Sequence, residues 1–178
     1  MKFGTYIFMV ALILLTGCSS SDAQSELRGE IEKKEAHITE LSNNLAPGEQ
    51  LDPSEKQELI ALLNSYVNNY PEDVFAPECL NRIHMIYSSE EDYQTSAEYA
   101  ERIINDYPDY VNRALIIESQ AGSFDIWIKP RDTSKVRYYY EMLLEEYPDL
   151  PSEKVEDIKA RLKNLNLTIE EIILQGGE

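Results

Sequence analysis

Three copies of one short sequence decide the fold: YPE at residues 70–72, YPD at 107–109 and YPD at 147–149. Each copy follows an amphipathic segment. Its proline ends that helix, and the acidic residue after it begins the next one. The first two copies start 37 residues apart and the last two 40 residues apart. Recurrence at this period is typical of stacked helical hairpins, so the sequence predicts an all-α fold.

Apolar residues at helical spacing divide the chain after residue 26 into eight predicted helices. Two of the starts carry capping signals. Asp52-Pro53 combines an N-cap residue with a first-turn proline, and Thr168 with Glu171 forms a capping box. The helices are predicted to begin near residues 27, 53, 74, 93, 111, 133, 152 and 168. The segment 152–174 is expected to cover the open end of the last hairpin, because a stacked array needs an atypical end element.

Charge and composition narrow the class of protein. The 178 residues include 33 acidic and 16 basic ones, a formal charge of −17, which argues against a nucleic-acid partner because phosphates require a basic face. At 43% hydrophobic residues the chain is too apolar to be disordered throughout. The sequence predicts a single helical domain over residues 26–174 and a disordered tail over 175–178.

The amino terminus has the pattern of an export signal. A positive start at Lys2 precedes an apolar run over residues 6–15, which is too short to cross a bilayer as a helix. Residues 1–17 are therefore predicted to be a signal peptide. The sequence Leu-Thr-Gly-Cys at 15–18 resembles the lipobox of bacterial lipoproteins, and this resemblance implies that Cys18 is acylated after cleavage. The alternative is an ordinary signal peptide with an incidental cysteine.

An acylated Cys18 would anchor the protein to a membrane without crossing it. Residues 18–25 are polar and are predicted to be a flexible tether that carries the acyl chains. Ser19 resembles the residue found after the cysteine in lipoproteins sorted to the outer membrane. The expected location is therefore the outer membrane, at its periplasmic face, with exposure at the cell surface as the alternative.

The hairpins resemble tetratricopeptide repeats. Aligned on Pro108, the core positions of that family fall on Leu80, Ile83, Tyr87 and Ser96. Aligned on Pro148, they fall on Ile117, Ala121, Phe124, Val136, Tyr140 and Leu143, if residues 128–130 are an insertion. The resemblance implies an α-α superhelix of about three hairpins with a C-terminal capping helix. Together with the lipobox, the layout is similar to small outer-membrane lipoproteins built from such repeats.

The same resemblance implies a concave groove that binds a protein partner. The first helix of each pair would line it, and the alignment assigns to it Glu78, Asn81, Met85, Ser88, Glu118, Gly122 and Asp125. This surface is polar and mostly acidic. It is expected to suit a basic or polar segment of a partner.

The remaining candidates favour packing over chemistry. Cys79 is interpreted as a small buried side chain, and His84 as a core residue or, alternatively, a groove contact. Within Tyr138-Tyr139-Tyr140, the repeat register places Tyr140 inward. This leaves Tyr138 or Tyr139 for a surface contact, unless both pack against the insertion and Trp127. The sequence contains no phosphate loop, nucleophile elbow or metal-binding spacing, so no catalytic residue, metal or cofactor is predicted.

These observations predict a protein that is not an enzyme. The expected function is a lipid-anchored scaffold of the cell envelope that mediates protein–protein interaction, in outer-membrane assembly or envelope organisation by analogy with related repeat lipoproteins. The alternative is an accessory lipoprotein that binds a peptide or glycan for an envelope enzyme or transport system.

Overall fold

The computed structural model describes residues 17–175, and they fall into two compact units. The first unit extends to Leu62 and the second begins at Leu63, so the boundary lies inside a helix. The predicted signal peptide, apart from Gly17, and residues 176–178 of the predicted tail lie outside the described residues. The single domain over 26–174 stays a prediction.

The described residues are helical with no strand, which confirms the predicted all-α class. Every predicted helix is present, and the starts agree within about two residues except at the first helix, which begins earlier. The helices are α1 (Gly17–Asn44), α2 (Pro53–Asn69), α3 (Ala76–Ser89), α4 (Tyr93–Asp106), α5 (Arg113–Gly122), α6 (Thr133–Glu146), α7 (Ser152–Lys163) and α8 (Ile169–Gln175). A π-helical turn, Ser123–Trp127, continues α5.

The first unit differs from the sequence prediction at its amino terminus. Residues 18–25, predicted to be a flexible tether, belong to the 28-residue helix α1. Once a helix is nucleated, each added residue gains one hydrogen bond, and serine, alanine and glutamine extend it at little cost. A polar composition therefore does not by itself prevent a helix, and Cys18 lies in a helix here.

A cluster of charges links α1 to the start of α2 within the first unit. The Lys34 ammonium donates a hydrogen bond of 2.8 Å to the Glu55 carboxylate and another to Glu58. His37 lies 3.6 Å from Glu55, and its side chain is half exposed. Ile31, one turn before Lys34, is fully buried. The stretch of α1 from Ile31 to His37 is thus stabilised both by ion pairs with α2 and by burial of an apolar side chain.

In the second unit, α3 and α4 form a hairpin around a buried histidine. His84 Nδ1 lies 3.0 Å from the Ser96 carbonyl oxygen and 2.8 Å from its hydroxyl, and that hydroxyl donates to the His84 carbonyl oxygen. Ile83 beside it is fully buried. The turn before α4 ends at Asp92, whose carboxylate accepts a hydrogen bond from the Thr95 amide and caps the helix. The burial of His84 and its hydrogen bonds to Ser96 confirm its interpretation as a core residue.

The next hairpin, α5 and α6, contains the expected aromatic core with a different tyrosine. Tyr139 is buried and stacks on Phe124 with ring centroids 5.9 Å apart, whereas Tyr140 is half-buried and Tyr138 is exposed. The register correctly places Val136 and Leu143 in the core, but the buried tyrosine is Tyr139 and not Tyr140. Positions 139 and 140 lie three and four residues after the buried Val136, so both fall near the same face of α6, and Tyr139 takes the position against Phe124.

Polar side chains that run between the hairpins hold them together. Gln120 on α5 donates a 2.9 Å hydrogen bond to the Ala97 carbonyl oxygen on α4. Lys135 and Tyr139 on α6 both donate to the Glu101 carboxylate on α4, at 2.9 and 2.7 Å. The buried Arg113 donates to the Ile104 carbonyl oxygen. The two hairpins therefore share an interface built from α4, α5 and α6.

Burial of His84 makes the stability of the second unit depend on pH. Burial lowers the pKa of His84 below its ordinary value, and the Ser96 carbonyl oxygen offsets only part of this. In the unfolded chain the pKa of His84 is near 6.5. Below about pH 6.5, His84 is therefore protonated to a greater extent in the unfolded chain than in the folded one. We expect the free energy of unfolding to fall as the pH drops from about 7.5 to 5.

Urea unfolding across this range checks that expectation. A His84→Gln variant should lose part of the pH dependence. The matched variant His37→Gln removes the half-exposed histidine of α1 and should keep the dependence. If the unfolding free energy of the His84→Gln variant changes with pH as steeply as that of the wild type, the dependence does not come from His84.

Candidate partner-binding surface

The structure places the predicted groove residues of the first hairpin on one side of α3. Met85 is 60% exposed, whereas Glu78, Asn81 and Ser88 are half-buried. The Asn81 amide nitrogen lies 4.0 Å from the Met85 sulfur, so these two side chains touch. Met85 is flexible and polarisable, as is common at binding surfaces that adapt to a partner.

Of the predicted groove residues on the second hairpin, Glu118 and Gly122 are half-buried, whereas Asp125 is buried at 6% exposure. The assignment of Asp125 to an accessible groove is therefore wrong. Asp125 lies in the π-helical turn, where the Ile128 amide donates to the Ser123 carbonyl oxygen five residues earlier. This wider turn shifts the side chains away from the positions that an α-helical register predicts.

Asp125 is the centre of a buried ion cluster. Arg161 on α7 donates to both of its carboxylate oxygens, at 2.6 and 2.8 Å, and Arg131 donates at 2.7 Å. Burial alone would raise the pKa of Asp125, but the hydrogen bonds from the two arginines outweigh it and hold the pKa below its ordinary value. Arg161 also donates to the carbonyl oxygens of Asn164 and Leu167. The cluster therefore ties α7 and the turn after it to the second hairpin.

The two other predicted groove acids already have partners within the chain. The Glu118 carboxylate accepts from the Lys154 ammonium of α7 at 2.7 Å. Glu78 accepts from the Tyr110 hydroxyl at 2.8 Å and lies 3.4 Å from Arg82. Sequence reasoning missed Tyr110 and Lys154 because each lies on another turn or helix, whereas Arg82 is four residues after Glu78 on the same helix. The surface is consequently less negative than the groove residues alone suggest.

Sequence reasoning also missed exposed apolar side chains beside these residues. Leu115, three residues before Glu118 on α5, is 61% exposed, and Val111 in the turn before α5 is almost fully exposed. Val74 in the turn before α3 is exposed to the same degree. Val74 and Val111 each follow the tyrosine of a Tyr-Pro-acid sequence by four residues, so the repeat could have revealed them.

A cleft of about 580 Å³ lies beside α6 and the turn after α7. Its lining combines cationic, hydroxyl, amide and aromatic groups from Arg131, Thr133, Ser134, Arg137, Tyr138 and Asn166. Arg131 Nη2 is buried and has no hydrogen-bond acceptor among the described residues. Tyr138, one of the two candidates for a surface tyrosine, is 54% exposed here.

Residues 17–175 contain no group of three or more histidine, cysteine, aspartate or glutamate side chains placed to hold a metal ion. Within the same residues, no helix has both the length and the apolar character needed to cross a membrane. Cys79 is fully buried, as interpreted from the sequence.

The helices and their contacts define an all-α protein of paired helices with polar and apolar side chains exposed along α3 and α5. The chain matches no protein-family model, no curated protein and no solved structure.

Proposed function

We propose that this protein is a lipid-anchored, non-enzymatic scaffold of tetratricopeptide-like hairpins that holds a protein partner at the periplasmic face of the outer membrane. The observation that carries the proposal is the pair of exposed apolar side chains, Met85 on α3 and Leu115 on α5, on the first helices of successive hairpins. Exposed apolar residues rimmed by polar ones are typical of protein-binding surfaces. The scaffold serves outer-membrane assembly or envelope organisation.

The partner segment is amphipathic. Its apolar side chains contact Met85 and Leu115, and its polar groups face Asn81 and the Glu118–Lys154 pair. Because Lys154 neutralises Glu118, the partner's charge contributes less to affinity at this surface than its apolar side chains do. Acylation of Cys18 raises the local concentration of the scaffold at the membrane.

Metabolic labelling with a fatty acid tests the anchor. The wild-type protein should incorporate label and partition with membranes, and Cys18→Ala should lose both properties. Cys79→Ala, which removes the other cysteine of the chain, is the matched control for labelling. Label retained by the Cys18 variant would refute acylation at this residue.

Site-specific crosslinking in intact cells tests the partner surface. A photoreactive residue in place of Met85 should capture a defined envelope protein, and Leu115→Lys in the same chain should abolish that capture. The same photoreactive residue in place of the exposed Glu145 on α6 is the control position. Equal capture from positions 85 and 145 would contradict the assignment of the surface.

The cleft beside α6 favours a second candidate function, an accessory protein that binds a peptide or glycan. Its exposed tyrosine supplies an aromatic face, and the arginines and hydroxyl groups around it are polar groups of the kind that fix the orientation of a bound ligand. Native mass spectrometry of the purified protein distinguishes this function. A small molecule that co-purifies with the wild type and is lost with Tyr138→Ala would favour it over the scaffold.

A further inference from the structure

Trp127, the single tryptophan of the chain, lies at the surface where the second hairpin turns. Its side chain is 55% exposed, and the neighbouring Ile126 is exposed as well. The indole ring stacks on Tyr93 at the start of α4, with centroids 5.3 Å apart and planes inclined by 19°. One face of the tryptophan is thus supported by Tyr93, and more than half of the residue remains open to a partner.

The turn that leads into Tyr93 is strongly acidic. Glu90, Glu91 and Asp92 immediately precede it, and no lysine or arginine occurs between Ser88 and Ala100. All three carboxylates are on exposed residues, with Asp92 also capping α4. A partner that approaches Trp127 along this turn therefore meets negative charge.

Other aromatic rings of the second unit already carry a cation from the chain itself. The pairs are Arg82 over Phe75 at 4.9 Å, Arg102 over Tyr99 at 5.7 Å and Lys135 over Phe124 at 4.3 Å. Within residues 17–175, no arginine or lysine lies over Trp127. Tryptophan attracts cations more strongly than phenylalanine or tyrosine does, so the ring best suited to this interaction is among those left for a partner.

We propose that Trp127, supported by Tyr93, binds a lysine or arginine side chain from a basic segment of a partner protein. The indole face makes the cation–π contact, and the carboxylates of residues 90–92 attract the segment and orient it. This surface lies at the turn end of the hairpins and uses none of the side chains assigned to the Met85 and Leu115 surface. It requires neither the acyl anchor nor the proposed scaffold groove.

The single tryptophan makes the site directly observable. Selective excitation of tryptophan in the purified protein reports on Trp127 alone. A synthetic peptide of alternating lysine and glycine residues should shift or quench this emission in a saturable way, and the effect should weaken as salt is added. A peptide of the same length with glutamine in place of lysine is the matched ligand and should leave the emission unchanged.

Variants separate the cation–π contact from general attraction to an acidic protein. Isothermal titration with the lysine peptide should show Kd weakened about twofold to fivefold by Trp127→Leu, with a smaller loss for Trp127→Phe. Glu91→Gln should also weaken binding. Glu145→Gln makes the same change in net charge at the far end of α6 and should have less effect.

Three results would overturn the proposal: an unchanged Kd for Trp127→Leu, equal binding of the lysine and glutamine peptides, or equal losses for the Glu91 and Glu145 variants. Because more than half of Trp127 is exposed, the leucine variant should fold normally, which circular dichroism would check. Crosslinking from position 85 reports on the other surface, so either proposal can fail without the other.

Discussion

Asp125→Ala is expected to lower the free energy of unfolding of the second unit by about 3–5 kcal/mol. The substitution removes the carboxylate that accepts hydrogen bonds from both Arg131 and Arg161. Both guanidinium groups are largely buried and would be left without their counter-ion. Desolvated charges without a partner are among the most destabilising features that a single substitution can create.

Urea unfolding followed by the emission of Trp127 measures this loss, because that residue lies in the second unit. Glu156→Ala on the exposed side of α7 is the control, and it should change stability by no more than about 0.5 kcal/mol. Asp125→Asn should fall between the two, since the amide oxygen can still accept one hydrogen bond while the charge is gone. Similar losses for the Asp125 and Glu156 alanine variants would show that the cluster contributes little.

Ile117→Ala is expected to cost about 2–5 kcal/mol of unfolding free energy. Ile117 is fully buried on α5, on the helix that packs between α4 and α6. Truncation removes apolar surface from the core and leaves a cavity that the rigid helix pairs fill only in part.

Leu115→Ala provides a matched control two residues away on the same helix. Leu115 is mostly exposed, so its truncation should change the same free energy by about 0.5 kcal/mol or less. Tryptophan emission during urea unfolding again reports both values. Equal losses for the two variants would mean that the apolar stripe of α5 does not face the core as described.

Periodicity and proline placement were sufficient to predict the helices. The Tyr-Pro-acid sequences mark the ends of α2, α4 and α6, because proline cannot continue a helix. The buried positions Leu80, Ile83 and Ile117 follow from helical spacing alone. These features depend on residues within a few positions of each other, which is the information that a single sequence provides.

The predictions failed where backbone geometry departs from a regular α-helix. The π-helical turn Ser123–Trp127 brings Asp125 inward, and on α6 it is Tyr139, not Tyr140, that packs against Phe124. Likewise, Tyr110 and Lys154, which contact Glu78 and Glu118, lie 32 and 36 residues away in sequence, beyond the reach of local pattern. A register carried over from a repeat assumes constant geometry, so it fails at Asp125 in the widened turn, whereas the core positions Ile117, Val136 and Leu143 agree with it.

Helix α1 changes what an anchor at Cys18 would do mechanically. With 28 residues and a rise of about 1.5 Å per residue, α1 is roughly 42 Å long, comparable to the full thickness of a bilayer. A disordered tether of the same length would act as an entropic spring whose ends sample many separations. A continuous helix is stiff, so Asn44 would stay at a nearly constant distance from the proposed acyl anchor at Cys18. Rotation of the whole helix about the lipid would then be its main motion.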